Sequence, residues 1–234
     1  MPLLFILPPS NLRDSPPFKS EFDSTTFANV QFDIARLLRT ACDVASSDLS
    51  QAVGLASQAR DLDPRYARSW YELAQLQELA GLPDAAQSYR TARDEDICPL
   101  RMTTSLEHAM RSAARDSTRP LLDAHALLAE RCAGRIVGGS VLVDHVHPSF
   151  RGHEDIAVAI ADWMMNEQYL VPVNPLWAEH SRTECGHRLQ RLDDLYFLRG
   201  QRSLQSMQLW SAGRSGGPPL AALPERRGSK SVQQ

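Results

Sequence analysis

The segment V-L-V-D-H-V-H-P-S-F-R-G, from Val141 to Gly152, places an acid and a histidine together in a short loop that ends at the glycine. Asp144 precedes His147 by three residues, and an amphipathic helix is predicted directly afterwards, over residues 154–163. A carboxylate that accepts a hydrogen bond from one ring nitrogen of a histidine fixes the tautomer and makes the other nitrogen more basic. Asp144 and His147 are therefore the candidate catalytic residues, with His147 as general base and Asp144 as the group that orients it.

Two other interpretations of this segment are open. A histidine-rich turn before a helix also occurs as a simple capped loop. Alternatively, His145, His147 and His153 could be ligands of a zinc ion. No partner cluster of cysteines or carboxylates shows metal-ligand spacing, so we rank zinc below an acid–base pair and predict no metal or cofactor.

Composition excludes several classes of function. The chain has 234 residues, of which 43% are hydrophobic, so it can bury a substantial core. A net charge of −3 provides no basic surface for nucleic acid or anionic lipid. The four cysteines are far apart and contain no C-x-x-C pair, which is typical of a reducing compartment such as the cytoplasm. The apolar N-terminal run is too short to span a bilayer and ends at Pro8, so no membrane segment is predicted.

Two short apolar runs predict parallel strands. Residues 2–7 have the continuous hydrophobicity of a buried strand and are followed by a loop rich in proline and serine. Residues 119–124 predict a second strand, with Asp123 at its carboxyl end. Asp123 could belong to a functional loop at that end or could cap the next helix, and we prefer the second interpretation.

The region between the strands has a helical pattern over residues 32–93. Small residues and a proline recur within it at relative positions 0, 4, 7 and 12: Ala52, Ala56, Ala59 and Pro64. This spacing resembles the tetratricopeptide repeat (TPR), and a second unit follows from Trp70 to Ala92. Its turn, from Gly81 to Ala85, is one residue shorter than the family pattern. An ordinary amphipathic helix hairpin is the alternative interpretation.

The motif D-x-x-H-P-x-x-x-G, formed by Asp144, His147, Pro148 and Gly152 and followed by a helix, resembles the last conserved block of the SGNH (GDSL-type) hydrolases. In that family the Asp and His of a Ser-His-Asp triad lie this close together, before the final helix of an α/β/α sandwich. The resemblance implies that Asp144 and His147 are the matching catalytic residues. The predicted fold class is therefore α/β: a partial SGNH-like α/β/α sandwich with an inserted α-helical array of TPR-like hairpins.

This interpretation divides the chain into five segments. Residues 1–22 form the N-terminal strand and loop, 23–96 the helical insertion, and 97–170 the C-terminal part of the SGNH-like domain with the Asp/His motif. C-terminal helices are predicted in residues 171–212, and a disordered tail in residues 213–234.

A nucleophile for the triad is missing from the sequence pattern. No G-D-S or G-x-S-x-G motif occurs, and Ser10, Ser15 and Ser20 lie in proline-rich loops without a nucleophile elbow. Asn11 follows the wrong strand to match the oxyanion-hole Asn of the family. The resemblance places the nucleophile ahead of the first strand, so we expect a truncated reading frame and an inactive chain.

The predicted function is the C-terminal portion of an SGNH-like serine ester hydrolase that acts on an acyl ester, with carbohydrate esters as one candidate class. The alternative is a non-enzymatic TPR module that binds a protein partner through its helices.

Overall fold

The structure is a computed structural model that describes residues 2–171 and 174–211, with side chains up to residue 206. Of the residues that the structure describes, 59% are helical and 4% lie in strands. The elements in chain order are β1 (Phe5–Leu7), α1 (Ala28–Val44), α2 (Leu49–Leu62), α3 (Ala67–Leu79), α4 (Ala85–Asp94), α5 (Thr104–Asp116), β2 (Leu121–Asp123), α6 (Ala124–Ala129), α7 (Phe150–Asn166), α8 (Trp177–Gln190) and α9 (Asp194–Ser211). The predicted tail, residues 213–234, lies outside the described residues.

The described part of the chain divides between Ile160 and Ala161 into two compact units. Within the first unit, β1 and β2 form a two-stranded parallel sheet in which Phe5 pairs with Leu121 and Leu7 with Asp123. Both strands are shorter than predicted, and the α/β prediction is confirmed only as an α-rich fold with a small parallel sheet. Because the strands are parallel, the loop after Leu7 and the segment after Asp123 leave the sheet at the same edge.

Helices α1 to α4 pack in chain order, α1 on α2, α2 on α3 and α3 on α4. The small residues that carry the repeat spacing, Ala52, Ala56 and Ala59, are 0% exposed in a core shared with Leu38 and Leu73. Alanines on the packed face of α2 let neighbouring helices approach closely. The helical character of the predicted insertion is therefore observed, and its relation to TPR proteins stays a prediction.

The loop after β1 is buried, although its composition is polar. Ser10, Asn11 and Leu12 are only 1%, 3% and 2% exposed. Leu12 packs in a cluster with Tyr89 of α4 and Ile136, which follows α6 in the chain. The loop therefore connects the helical insertion to the segment that leads into the Asp144 motif.

The second unit contains the end of α7, together with α8 and α9. The sequence predicts helices over residues 177–198 and 203–210, but the break between α8 and α9 lies at residues 191–193. The carboxylate of Asp193 accepts a hydrogen bond from the N–H of Tyr196 at 2.7 Å, which caps the first turn of α9. No α8 residue is fully buried, and Trp177 is half-buried. Among the described helices, none combines the length and the apolar character needed to cross a bilayer.

Candidate functional site

The Asp144 motif folds as a tight turn closed by antiparallel backbone pairing. Leu142 and Pro148 form an isolated β-bridge. The N–H of Val143 donates to the carbonyl of His147 at 2.9 Å. The Asp and His side chains therefore project from one turn whose two ends are tied together.

Asp144 uses both carboxylate oxygens inside this turn. Oδ1 accepts hydrogen bonds from the backbone N–H groups of Val146 and His147, each at 2.8 Å. Oδ2 lies 2.7 Å from Nδ1 of His147. An ionised carboxylate can only accept, so Nδ1 carries the imidazole proton and Nε2 is the free base. The two residues predicted from the D-x-x-H motif are thus adjacent in the geometry that an oriented base requires.

The surroundings keep Asp144 ionised. Burial alone raises the pKa of this carboxyl, but hydrogen bonds from the backbone of His147 and Val146 and from the His147 ring outweigh burial and lower the Asp144 pKa. The Asp144 side chain is 9% exposed, whereas that of His147 is 64% exposed. No described side chain hydrogen-bonds to Nε2 of His147, so this nitrogen is open to an incoming hydroxyl group.

Gly152 lies within α7 and does not end the loop as predicted, because the helix begins two residues earlier, at Phe150. A Cβ at this position would lie 2.9 Å from the carbonyl oxygen of Val141 and 3.0 Å from Cβ of Pro148. The glycine therefore lets the first turn of α7 approach the motif closely. Asp155, one turn further along α7, is 5% exposed.

The loop after β1 contacts the Asp144 turn directly. The backbone N–H of Asn11 donates to the carbonyl of His145 at 2.9 Å, and its side-chain Nδ2 donates to the carbonyl of Asp144 at 3.0 Å. Sequence reasoning considered Asn11 only as an oxyanion-hole donor and missed this contact. The rule that functional loops follow the carboxyl ends of parallel strands is the signal that points to it.

Two further histidines flank the site. The ring of His145 packs edge-on against Phe18 with centroids 5.1 Å apart, and burial lowers its pKa against the opposing effect of Asp144. His125 accepts the backbone N–H of Ser10 at Nδ1 over 3.2 Å, and burial lowers its pKa as well. Both histidines are therefore neutral at neutral pH.

The zinc interpretation gains no support. Nδ1 of His147 faces Asp144, whereas Nδ1 of His153 lies 3.1 Å from the carbonyl oxygen of Ser149. Across residues 2–171 and 174–206, no group of three or more histidine, cysteine or carboxylate side chains is placed to hold a metal ion.

None of the three serines considered as nucleophiles is hydrogen-bonded to His147 in the described structure. Ser10 is 1% exposed, and its hydroxyl donates to the carbonyl of Met102 at 3.3 Å. Ser15 is 9% exposed, and its carbonyl accepts a hydrogen bond from Arg101 at 2.6 Å. No hydrogen bond joins Ser10, Ser15 or Ser20 to the imidazole among the described contacts.

A separate cavity of about 280 Å³ lies between α1 and α3. Phe22 and Tyr66 stack in its wall with ring centroids 4.0 Å apart. Arg68 also lines the cavity, paired with Glu72 at 2.5 Å. Arg39 lines it too, and this guanidinium forms no ion pair with any described residue. The cavity therefore combines an aromatic wall with an available positive charge.

An oriented imidazole with an open Nε2 can remove a proton from a hydroxyl group or from water. Comparison of the chain with models of known protein families, with curated proteins and with solved structures gives no match in any of the three. The assignment of function therefore depends on the geometry of the Asp144 turn and on the motif resemblance described above.

Proposed function

We propose that this chain supplies the histidine base and the orienting aspartate of an SGNH-like serine ester hydrolase that acts on acyl esters. The observation that carries the proposal is the 2.7 Å contact between Asp144 Oδ2 and His147 Nδ1, with the imidazole 64% exposed. The resemblance of the D-x-x-H-P block to the SGNH hydrolases supports the reaction class. The parallel pairing of β1 with β2 is compatible with the sheet of that fold.

In this mechanism Nε2 of His147 takes the proton of a serine hydroxyl while the serine oxygen bonds to the ester carbonyl carbon. The imidazolium then gives the same proton to the leaving alkoxide as the C–O bond breaks. Water then bonds to the acyl carbon as His147 takes one of its protons. The acyl C–O bond to the serine breaks next, and the imidazolium returns the proton to the serine oxygen, which releases a carboxylic acid and the free serine. Asp144 stabilises the imidazolium in both halves and stays ionised, which the hydrogen bonds to its carboxylate favour.

The nucleophilic serine of the proposal is not Ser10, whose hydroxyl is buried and hydrogen-bonded elsewhere. A fluorophosphonate probe labels activated serines wherever they lie. The sample is the protein isolated from its native cells, with any polypeptide that stays bound to it. We expect the probe to label one serine in this sample. Replacement of His147 by alanine should abolish this labelling, because the hydroxyl loses its base.

The direct test is hydrolysis of p-nitrophenyl acetate and p-nitrophenyl butyrate by protein isolated from its native cells. We expect His147→Ala to lower kcat/KM by about 10²- to 10⁴-fold, the usual contribution of a general base. His153→Ala is the matched control, because this neighbouring histidine faces a carbonyl oxygen instead of a carboxylate. Wild-type rates in His147→Ala, or no hydrolysis of either ester by the unaltered protein, would overturn the proposal.

A second candidate function is peptide binding by the helical insertion, in keeping with the TPR resemblance. The cavity between α1 and α3 favours it, because Arg39 offers a charge that no described residue neutralises. A segment carrying a carboxylate and an apolar side chain would complement that charge and the stacked Phe22 and Tyr66.

Titration of the chain with an acidic peptide of Glu and Leu residues tests this second function. We expect saturable binding that Arg39→Glu weakens by about tenfold or more, since a favourable charge becomes repulsive. Arg36→Glu is the control, because Arg36 lies on the same helix but pairs with Asp33 at 3.1 Å and does not line the cavity. Equal loss in both variants, or no saturable binding, excludes this use of the cavity.

A further inference from the structure

Asn11 is hydrogen-bonded through every polar group it has. Its N–H and Nδ2 donate to the carbonyls of His145 and Asp144, over 2.9 Å and 3.0 Å. Its Oδ1 accepts the N–H of Asp14 at 2.9 Å, and its backbone carbonyl accepts Arg101 Nη1 at 2.9 Å. A residue 3% exposed with four satisfied groups is held in one conformation.

Two of these bonds go to consecutive carbonyls of the acid–base turn. Other bonds of the turn, such as Val143 N–H to the His147 carbonyl, tie the turn to itself. The contacts from Asn11 instead tie it to the loop that leaves β1. Asparagine suits this position because its side chain donates to the turn while its amide oxygen accepts from its own loop.

Asn11, which anchors the turn, is itself held by neighbouring residues. Arg101, whose side chain is 1% exposed, donates to the carbonyls of both Asn11 and Ser15. Next to Asn11, the N–H of Leu12 donates to the carbonyl of Val137 at 2.9 Å. Arg101 on one side and the carbonyl of Val137 on the other therefore fix the loop that carries Asn11, independently of its contacts with the Asp144 turn.

We infer that Asn11 is a positioning residue, which fixes the Asp144–His147 pair against the carboxyl end of β1 by holding the carbonyls of Asp144 and His145. The catalytic consequence rests on the proposed function, but the positioning itself does not. Loss of the anchor lets the turn open more often. The imidazole then spends less time in the orientation that proton transfer requires, and misplacement by about 1 Å can lower a rate by about 10²-fold.

The sharpest variant is Asn11→Asp, which keeps an acceptor for the Asp14 N–H and loses the Nδ2 donor. We expect hydrogen exchange at the amides of Val146 and His147 to accelerate by about 5- to 30-fold, as loss of one or two hydrogen bonds implies. We also expect kcat of ester hydrolysis to fall by about 10- to 100-fold with little change in KM. Wild-type exchange rates at these two amides would overturn the inference.

Asp14→Ala is the matched control in the same loop. The Asp14 carboxylate accepts the N–H of Gly139 at 2.6 Å, so removal of this acceptor should accelerate exchange at Gly139 and leave the amides of Val146 and His147 unchanged. Equal acceleration at those two amides in both variants would attribute the effect to general loosening of the loop and would overturn the role of Asn11.

A measurement on the unaltered protein covers the case in which Asn11→Asp does not fold. Scalar couplings across hydrogen bonds should connect the Asn11 amide nitrogen to the His145 carbonyl carbon, and Nδ2 to that of Asp144. Their absence contradicts the inference without any mutation. If exchange changes as expected but hydrolysis does not depend on His147, the proposed function fails and the positioning stands. If hydrolysis depends on His147 but Asn11→Asp leaves the exchange rates unchanged, the proposed function stands and the positioning role of Asn11 fails.

Discussion

Arg101 and Asp96 form an ion pair in the interior of the first unit, with Nη2 3.5 Å from Oδ2 and side chains that are 1% and 0% exposed. Burial lowers the pKa of Arg101 to about 10, so the guanidinium remains charged at neutral pH. Asp96 also accepts the backbone N–H groups of Phe18 and Lys19 at 2.7 Å and 3.0 Å. The pair therefore joins the chain just after α4 to the loop that carries Asn11.

Replacement of Asp96 by alanine should destabilise the protein strongly, because it leaves the charge of Arg101 buried without its partner. We expect a loss of about 3–5 kcal/mol in the free energy of unfolding, measured by urea denaturation. Asp33→Ala is the control, because the Arg36–Asp33 pair is on the surface and should contribute less than about 1 kcal/mol. Similar urea midpoints for the two variants would contradict the buried pairing.

Two glycine substitutions should change stability in opposite directions. Gly152→Ala places a Cβ 2.9 Å from the Val141 carbonyl oxygen and should destabilise the fold by about 1–3 kcal/mol. Gly54→Ala, inside α2, meets nothing within 4 Å and should stabilise it by about 0.5–1 kcal/mol through helix propensity. Thermal unfolding of both variants measures the effects, and a stabilising Gly152→Ala would show that α7 does not pack closely on the motif.

The protein should lose stability when the pH falls below about 6.5, the ordinary pKa of histidine. The pKa values of His125 and His145 are lowered by burial in the folded state, so the unfolded chain binds more protons between those lowered values and about 6.5. Stability is therefore complete above about pH 6.5 and decreases as the pH falls through that window. Urea unfolding at about pH 7.5 and about pH 5.5 measures the difference.

His125→Gln should reduce this difference, and the double variant with His145→Gln should reduce it further. His153→Gln is the control, because this exposed histidine lies outside both buried environments. A pH dependence that persists unchanged in the double variant would assign it to other groups.

Asp144→Asn should separate chemistry from structure at the site. The amide oxygen can still accept the N–H groups of Val146 and His147, but the amide nitrogen would face Nδ1 and select the wrong imidazole tautomer. We expect ester hydrolysis to fall by about 10²- to 10⁴-fold, no further than in His147→Ala, with hydrogen exchange of these two amides near the wild-type rate. In Asp144→Ala, ester hydrolysis should fall and the same two amides should also lose their protection from hydrogen exchange. Full hydrolytic activity in Asp144→Asn would exclude an orienting role for the carboxylate.

Several features were predictable from short-range patterns. The Ala52, Ala56 and Ala59 spacing indicated the packed face of α2, and all three residues are fully buried. Asp123 was expected to cap the following helix, and its Oδ1 accepts the Ala126 N–H at 2.8 Å. Both features depend on residues three or four positions apart, where helix geometry alone decides the contact.

Two predictions about glycines were wrong, because a glycine can mark a break or a loop end but can also lie within a helix. A break was predicted around Gly200, yet α9 continues through it and begins at the cap formed by Asp193. One glycine costs a helix only about 1 kcal/mol, which the capped first turn helps to offset. Gly152 was interpreted as the end of a loop, because the sequence does not reveal that a neighbouring carbonyl occupies the space its side chain would need.

Local sequence was sufficient for the helices of the insertion and for the Asp144–His147 turn, because His147 follows Asp144 by three positions and the local backbone brings the carboxylate and the imidazole together. The contacts that hold this turn in place depend instead on the folded chain as a whole. Asn11 lies 133 positions from Asp144, and Ser10 lies 115 positions from His125. Such contacts depend on the parallel pairing of β1 with β2 and on the packing of every helix between them, which no local pattern specifies.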